Sequence, residues 1–377
     1  MFHCPSAGEW VQAVPIIEKI GKTNPDIDIV ASFLSPSGYN FFKSHPNLAL
    51  KTYLPFDTRR NAVRFLKTVR PDLWVISKYD AWPNHMAVAK KLEIPVVMIS
   101  SLLSEKSGRD KGISRLLHKQ VYRDFRYIFP VSDRDRNRLL KIFPFPDRLF
   151  SAGSTAFDYA YGRSLAFRTE EKIPIFKNGR SDNEVVLIGG SIWPSDEVHL
   201  MPAIVEMLNR FAYLKVILVS HEPNERHIRS IEAKLASANL TCQRYTEFAK
   251  TGGTKERIAI IDRVGKLAKL YGQTDIAYVG GSCGPGVHNV TEPAVFGQPV
   301  LFGPRYRNSF EAIELTNAQC GFAVEGKREL AKKLDCLIRD RSLRARIGKR
   351  ALNLVKKNMG ATDRILAVLQ NRFDFLR

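Results

Sequence analysis

An α/β fold of two doubly wound halves is predicted by three features of this sequence. Short apolar strands alternate with amphipathic helical segments, the alternation restarts after a turn-rich interval, and 377 residues exceed one typical core. The opening Phe2-His3-Cys4 reads as a very short strand, followed by further strands at 27–33, 73–77, 96–100 and 127–131. Amphipathic segments at 11–20 and 60–69 lie among them, the order that makes a parallel sheet wrapped by helices. Residues 163–182 are less patterned. A second set follows, with strands at 185–188, 214–219, 258–261, 276–279 and 300–302 and helices at 195–209, 225–237 and 265–271. The expected division is 1–152, then 153–355, with 356–377 a C-terminal helix packing back towards the first half. In such halves ligands sit beyond the carboxyl ends of the strands, so the residues just past each strand are the ones to weigh.

Net charge is +20, from 58 Lys and Arg against 38 Asp and Glu, and implies an anionic partner. No RGG tract, basic tail or RNA-stacking aromatic motif accompanies it, so nucleic acid is not expected. No run of eighteen apolar residues exists to span a membrane, and no signal peptide is expected at Met1. The five cysteines form no CxxC pair and fit a reducing cytoplasm. GxGxxG after a first strand, GxxxxGK[ST] and HExxH are all missing, and His221, Glu222 and His227 lack ligand spacing, so neither metal nor cofactor is expected. Between Lys106 and Arg126, the residues Lys111, Arg115, Lys119, Arg123 and Arg126 interleave with leucine, valine and tyrosine. That stretch suits a helix on a lipid surface or a solvated face of a basic protein.

The densest chemistry lies in YVGGSCGPGVHNVTEPAVFGQPVLFGP at 278–304. A strand runs into Gly280, Gly281, Ser282, Gly284 and Gly286, then His288, Asn289 and Glu292, then another strand. Glycines let backbone amides approach a ligand, and Asn289 and Glu292, three apart, would share the N-terminal face of a helix. The segment is either an ordinary β-turn-α corner or a nucleotide loop. Glu9, opening a helix after Ser6-Ala7-Gly8, is either a capping partner or a general base. Lys78 and Asp80 follow one strand, and Ser101, Ser104 and Ser107 the next. Gly190, Ser191 and Trp193 follow another, with Ser195 the expected N-cap. His221 comes after a further strand, and Val264, Gly265 and Lys266 open a helix.

Together these pieces resemble the Kdo transferases, which attach 3-deoxy-D-manno-octulosonic acid (Kdo) to the lipid A precursor. The family pattern FHAxSxGE is FHCPSAGE at 2–9, YLPxD falls at 53–57, RPD at 70–72, WPN at 82–84 and LSxxS at 103–107. The junction motif is GSTAFD at 153–158, GSxxPx[ED]E matches 190–197, and the last block matches 279–304. The resemblance implies a GT-B fold, two Rossmann-like domains facing across a cleft, and inverting transfer from CMP-Kdo. The implied acceptor is an anionic lipid A precursor at the cytoplasmic face of a bacterial inner membrane, with peripheral attachment. The alternatives are a GT-B enzyme using a UDP-sugar, as transferase or epimerase, and a divergent non-catalytic lipid-binding relative.

Carried over, Glu9 matches the family's catalytic base, and Asn289, Val290, Thr291 and Glu292 match positions that hold CMP. Val264, Gly265 and Lys266 match a Met-Gly-Glu triplet, and Ser220 and His221 a Pro-Arg pair. Lys78 stands where many members have an acid, Lys266 replaces another acid, and Ala156 replaces a basic residue. Lys78 and Asp80 are kept beside Glu9 as catalytic candidates, and Gly281, Ser282 and His288 as nucleotide contacts. The family's usual hydrophobic anchor precedes the point at which this sequence starts, so attachment is expected to rest on surface patches.

Overall fold

A computed structural model describes residues 1–40, 44–78, 80–103, 108–110, 112–177, 179, 181 and 183–376. Tyr79, Ser104, Ser107, Lys106 and Lys111 lie outside the described residues. The chain divides into two compact units, Met1–Tyr159 with Asn358–Arg377, and Ala160–Lys357.

The first unit holds a parallel sheet of β1 (Phe2–His3), β2 (Val30–Phe33), β3 (Leu50–Tyr53), β4 (Trp74–Ser77), β5 (Val96–Ser101) and β6 (Tyr127–Pro130). Their order is β3-β2-β1-β4-β5-β6. Alternate residues of each strand face opposite ways. Val75, Val97 and Ile99 join a core with Trp10, Ile16 and Ile17 of the helix Ala7–Thr23 and with Ile365, Leu366 and Leu369 of the helix Ala361–Gln370. Trp74, Ile76 and Met98 join the other core with Leu66, Met86 and Phe125. Both faces are therefore covered, which is why these strands read as continuous apolar runs. Strand β3 escapes such a reading because it is an edge strand whose Leu50 and Tyr53 stay exposed.

The second unit holds β7 (Val185–Ile192), β8 (Leu214–Ser220), β9 (Gln243–Arg244), β10 (Ile258–Ile261), β11 (Ile276–Val279), β12 (Val300–Phe302) and β13 (Gly321–Ala323). They form a parallel sheet in the order β13-β12-β11-β7-β8-β10-β9. β7 and β11 lie side by side, so the segments after them emerge together, and β8 borders β7 on its other side. The edge strands β9 and β13 add to the expected set, being two and three residues long and too short to leave a pattern.

Candidate active site

In the first unit, Ser6 caps the helix Ala7–Thr23 and Glu9 sits at its third position. The Ser6 amide donates to Glu9 Oε2 at 3.1 Å, the Ser6 hydroxyl donates to the same oxygen, and the Gly8 amide donates to Ser6 Oγ at 3.3 Å. This is a reciprocal capping box. The other oxygen, Oε1, lies 2.9 Å from Lys78 Nζ. Lys78 follows β4 in the left-handed region, φ 69°, with its amide donating to Ile99 O at 2.9 Å. A non-glycine residue held there stores backbone strain, and here it brings the ammonium onto Glu9. Burial pushes the Glu9 carboxyl up, but Lys78 and the Ser6 hydroxyl outweigh it and leave the group below its ordinary value. Glu9 is thus both a capping partner and an ionised, half-buried carboxylate, with 12% of its side chain exposed.

Asp80 is braced differently. Its Oδ2 accepts from Trp82 Nε1 at 2.9 Å and lies 3.3 Å from His3 Nε2, while His3 Nδ1 meets Ser32 Oγ at 3.0 Å. The motif residues Asp57 and Asn84 also meet, and their role is structural. Asp57 accepts from the amides of Asn84 at 3.1 Å and His85 at 2.9 Å and pairs with His85 Nδ1 at 2.7 Å. It therefore closes the N-terminus of the helix Pro83–Lys91, where Trp82 offers no side-chain cap. Burial lowers His85 despite that carboxylate.

In the second unit the expected N-cap, Ser195, is not the cap. The helix Pro194–Arg210 begins at Pro194, because a residue without an amide hydrogen suits the first helical position, and Trp193 precedes it. Asp196 then takes a role that sequence reasoning does not reach. Its fully buried carboxylate accepts from the amides of Trp193 at 2.9 Å, Gly281 at 2.7 Å and Cys283 at 3.2 Å, and from Tyr278 OH at 3.3 Å. The available signal is the acid of the GSxxPx[ED]E motif, two residues past the proline, which marks the residue and not its partners. Gly280, Gly284, Gly286, Val287 and His288 donate their amides to Gly190, Gly281, Gly281, Arg305 and Gly280 carbonyls. The glycine loop therefore spends these amides inside the protein, against the expectation that they approach a ligand. Its glycines serve close packing instead. A Cβ on Gly280 would lie 2.3 Å from Ser191 O, and one on Gly281, at φ 90°, would lie 2.7 Å from His288 Cδ2.

The loop delivers side chains. Trp193 Nε1 donates to His288 Nε2 at 2.7 Å, and the two rings are 12° from coplanar with centroids 6.1 Å apart. The exposed His221 stacks on both, its centroid 4.6 Å from Trp193 and 4.3 Å from His288. Burial, then the neighbouring His221, push His288 down to about 4, and burial also lowers His221. Asn289 is expected on a helix with Glu292, but the helix is only Thr291–Val295 and Asn289 precedes it. Its Oδ1 accepts from Thr291 N at 3.0 Å and Thr291 Oγ at 2.6 Å, so a side-chain turn takes the place of the first helical hydrogen bond. Its Nδ2 reaches Glu292 Oε1 at 3.2 Å. Burial pushes Glu292 up to about 7 against the opposing pull of Arg163 and Asn289.

The remaining candidates are scattered. Val290 is buried, and Ser282 Oγ accepts from the Gly303 amide at 2.5 Å, fastening the loop to the end of β12. Ser220 Oγ is 2.6 Å from His227 Nδ1, whose Nε2 meets the buried Glu197, itself paired with Lys234. Val264 and Gly265 are exposed and Lys266 lies over the Tyr245 ring at 5.7 Å. Among the described residues no hydrogen bond or ring contact joins these three to the His288 cluster. No group of three or more potential metal ligands occurs among the described residues either.

Residues 1–159 match the sequence model of the 3-deoxy-D-manno-octulosonic-acid transferase (kdotransferase) family. A bifunctional glycosyltransferase/methyltransferase of Fusobacterium nucleatum is 24% identical over 368 residues, 94% of this chain and 56% of that protein. The chain therefore spans little more than half of that relative. A 3-deoxy-D-manno-octulosonic acid transferase of Rickettsia felis is 24% identical over 97% of this chain and 78% of its own length. The Haemophilus influenzae enzyme of the same name is 23% identical over 98% and 86%. Among solved structures, a UDP-GlcNAc 2-epimerase from Neisseria meningitidis aligns with TM-score 0.65 and 14% identity over 98% of this chain and 99% of its own. A glycosyltransferase from Rickettsia africae aligns with TM-score 0.62 and 12% identity over 100% and 98%. At these identities the structural likeness speaks to fold, and it is the GT-B fold of two parallel α/β domains.

Proposed function

We propose that this chain, a member of the Kdo transferase family, transfers Kdo with inversion from CMP-Kdo to a hydroxyl of an anionic lipid A precursor. The observation that carries the reading is Glu9, in the unit that the family model matches, held as a carboxylate by Lys78 at 2.9 Å. Glu9 takes the proton of the acceptor hydroxyl, whose oxygen attacks the anomeric carbon of Kdo from the face opposite the phosphate. The bond from that carbon to the phosphate oxygen breaks, and CMP leaves with the electron pair. Lys78 has two effects on this base. It keeps Glu9 ionised, and by lowering its basicity it makes each proton transfer harder. The second unit supplies nucleotide contacts from side chains, with His221, His288, Asn289 and Glu292 leading, because the amides of Gly280, Gly281, Cys283, Gly284 and Gly286 are occupied.

The same reading takes the chain to the cytoplasmic face of an inner membrane. The helix Gly112–Tyr122 exposes Leu116 and Leu117 at 68% and 65% beside the exposed Arg115, Lys119 and Arg123. Leu116, Lys119 and Arg123 also line a groove of about 1060 Å³ with Lys90, Arg126 and Arg148. An apolar ridge flanked by cations suits an anionic lipid surface. No helix among the described residues is long and apolar enough to cross a membrane.

Mass spectrometry of the product formed from freshly generated CMP-Kdo and the tetra-acylated lipid A precursor tests donor, acceptor and number of additions together. Calorimetry with CMP and UDP accompanies it. A clear preference for UDP, or no Kdo adduct from a chain that binds CMP, defeats the proposal.

A further inference from the structure

The bond between Trp193 and His288 fixes more than a ring position. Indole Nε1 is only ever a donor, so the imidazole nitrogen 2.7 Å away must carry a lone pair. His288 is then neutral, with its single proton on Nδ1. Its environment supports the neutral form, since burial disfavours the charged ring and the imidazole of His221 stacks 4.3 Å away. The Trp193 backbone is anchored in turn, because its amide is held by Asp196, the same carboxylate that holds Gly281 beside the His288 ring. Among the described residues His288 Nδ1 makes no hydrogen bond. A half-buried N–H of fixed direction and no charge is thereby left on the loop that the proposed reading assigns to the nucleotide.

We infer that Trp193 is a positioning residue that holds His288 in the Nδ1–H tautomer, and that this N–H donates to an acceptor atom of the donor nucleotide. The second clause rests on the nucleotide reading above, and the first does not. A neutral donor orients a carbonyl or phosphate oxygen without supplying net charge, so His288 contributes direction rather than electrostatic attraction. His221, lying over both rings, closes the outer face of the pair.

Nitrogen-15 NMR of the histidine side chains in the full chain reads the tautomer directly. The signal assigned to His288, as the one missing from a His288→Asn spectrum, is expected to show Nδ1 protonated and Nε2 unprotonated, unchanged across pH about 6 to 8 and lost in Trp193→Phe, while His85, whose Nδ1 faces the Asp57 carboxylate, keeps that tautomer in the variant. A His288 protonated on Nε2, or titrating near its ordinary value, overturns the assignment. Calorimetry with CMP then tests the ligand clause. Trp193→Phe is expected to weaken CMP about five- to tenfold, the worth of one oriented neutral hydrogen bond. His288→Asn, whose amide can occupy the place of Nδ1, should keep more affinity than His288→Gln, whose amide falls nearer Nε2. Unchanged CMP affinity in Trp193→Phe despite an altered tautomer, or His288→Gln binding better than His288→Asn, overturns the ligand clause. Absence of CMP binding in the unaltered chain refutes the nucleotide reading and the ligand clause together, while the NMR result stands by itself.

Discussion

Glu9 and Glu292 are both half-buried glutamates in the first turn of a helix, one in each unit, and their surroundings push them in opposite directions. At Glu9 burial is overcome by a cation 2.9 Å away, and the carboxyl falls below its ordinary value. At Glu292 the contact is the neutral amide of Asn289, Arg163 acts only in part, and the carboxyl rises to about 7. The first unit holds its candidate residues with charge, through Glu9 and Lys78. The second holds His288 and Asn289 through neutral contacts, with Trp193 and Asn289 as donors, beside the buried carboxylate of Asp196. The same residue type at the same helical position is thus held ionised in one unit and pushed towards its protonated form in the other.

The strongest way to break the comparison is Glu9→Gln, which keeps the shape of the side chain and removes the base. Turnover should fall by roughly 10²–10⁴-fold, while CMP affinity is unchanged and stability shifts by less than about 1 kcal/mol. Transfer assays and calorimetry on the same preparation decide it. Near-normal turnover would strip Glu9 of its assigned role and leave only the capping box.

Asp196→Ala is the counterpart in the second unit and should act on folding. Three amides and one phenol lose their acceptor in a buried site, which costs about 3 kcal/mol or more and appears as a lower urea midpoint. CMP affinity should fall with it, because the Trp193 and Gly281 amides lose the anchor that keeps His288 in place. A variant of full stability would show that waters replace the carboxylate and that the loop does not depend on it.

The two units are legible in the amino-acid pattern to different depths. The strand-helix alternation is a direct image of parallel sheets buried on both faces, as Trp74, Val75 and Ile76 facing alternate cores make plain. Edge strands such as β3, half-exposed and polar, carry no such image. Among the candidate residues, Glu9 is recognisable from its motif with two roles open, and the geometry accommodates both. What a linear pattern cannot reveal is how long-range pairing uses up a group. Nothing in a glycine loop says that a carboxylate some eighty residues earlier, at Asp196, takes its amides. Nor does Lys78, a departure from an acidic position, announce that it closes onto Glu9.

Lys78→Met sharpens the comparison by giving Glu9 an environment more like that of Glu292. Burial then acts against the Ser6 hydroxyl and a backbone hydrogen bond alone, so the carboxyl rises and the acid limb of the pH–rate profile moves to higher pH. Near neutral pH a stronger base partly offsets the lost positioning, and turnover should change less than about tenfold. An acid limb that stays in place would mean that some group other than Glu9 sets it.

The smallest effect is on stability against pH, and here the two carboxylates should slope in opposite senses. Glu9 has a folded value below 4.5, so its contribution is present above that ordinary value and is lost as pH falls through the depressed one. Glu292 has a folded value of about 7 against an ordinary 4.5, so between them the folded chain holds a proton that the unfolded chain has released. Stability therefore falls as pH rises across that window and levels off above it. Urea midpoints of the unaltered chain and Glu292→Gln, measured from pH about 5 to 8, should converge at the acid end and separate at the basic end, with the variant the more stable. Parallel curves would place Glu292 among ordinary glutamates. The loop proposed to contact the nucleotide would then carry a permanent carboxylate.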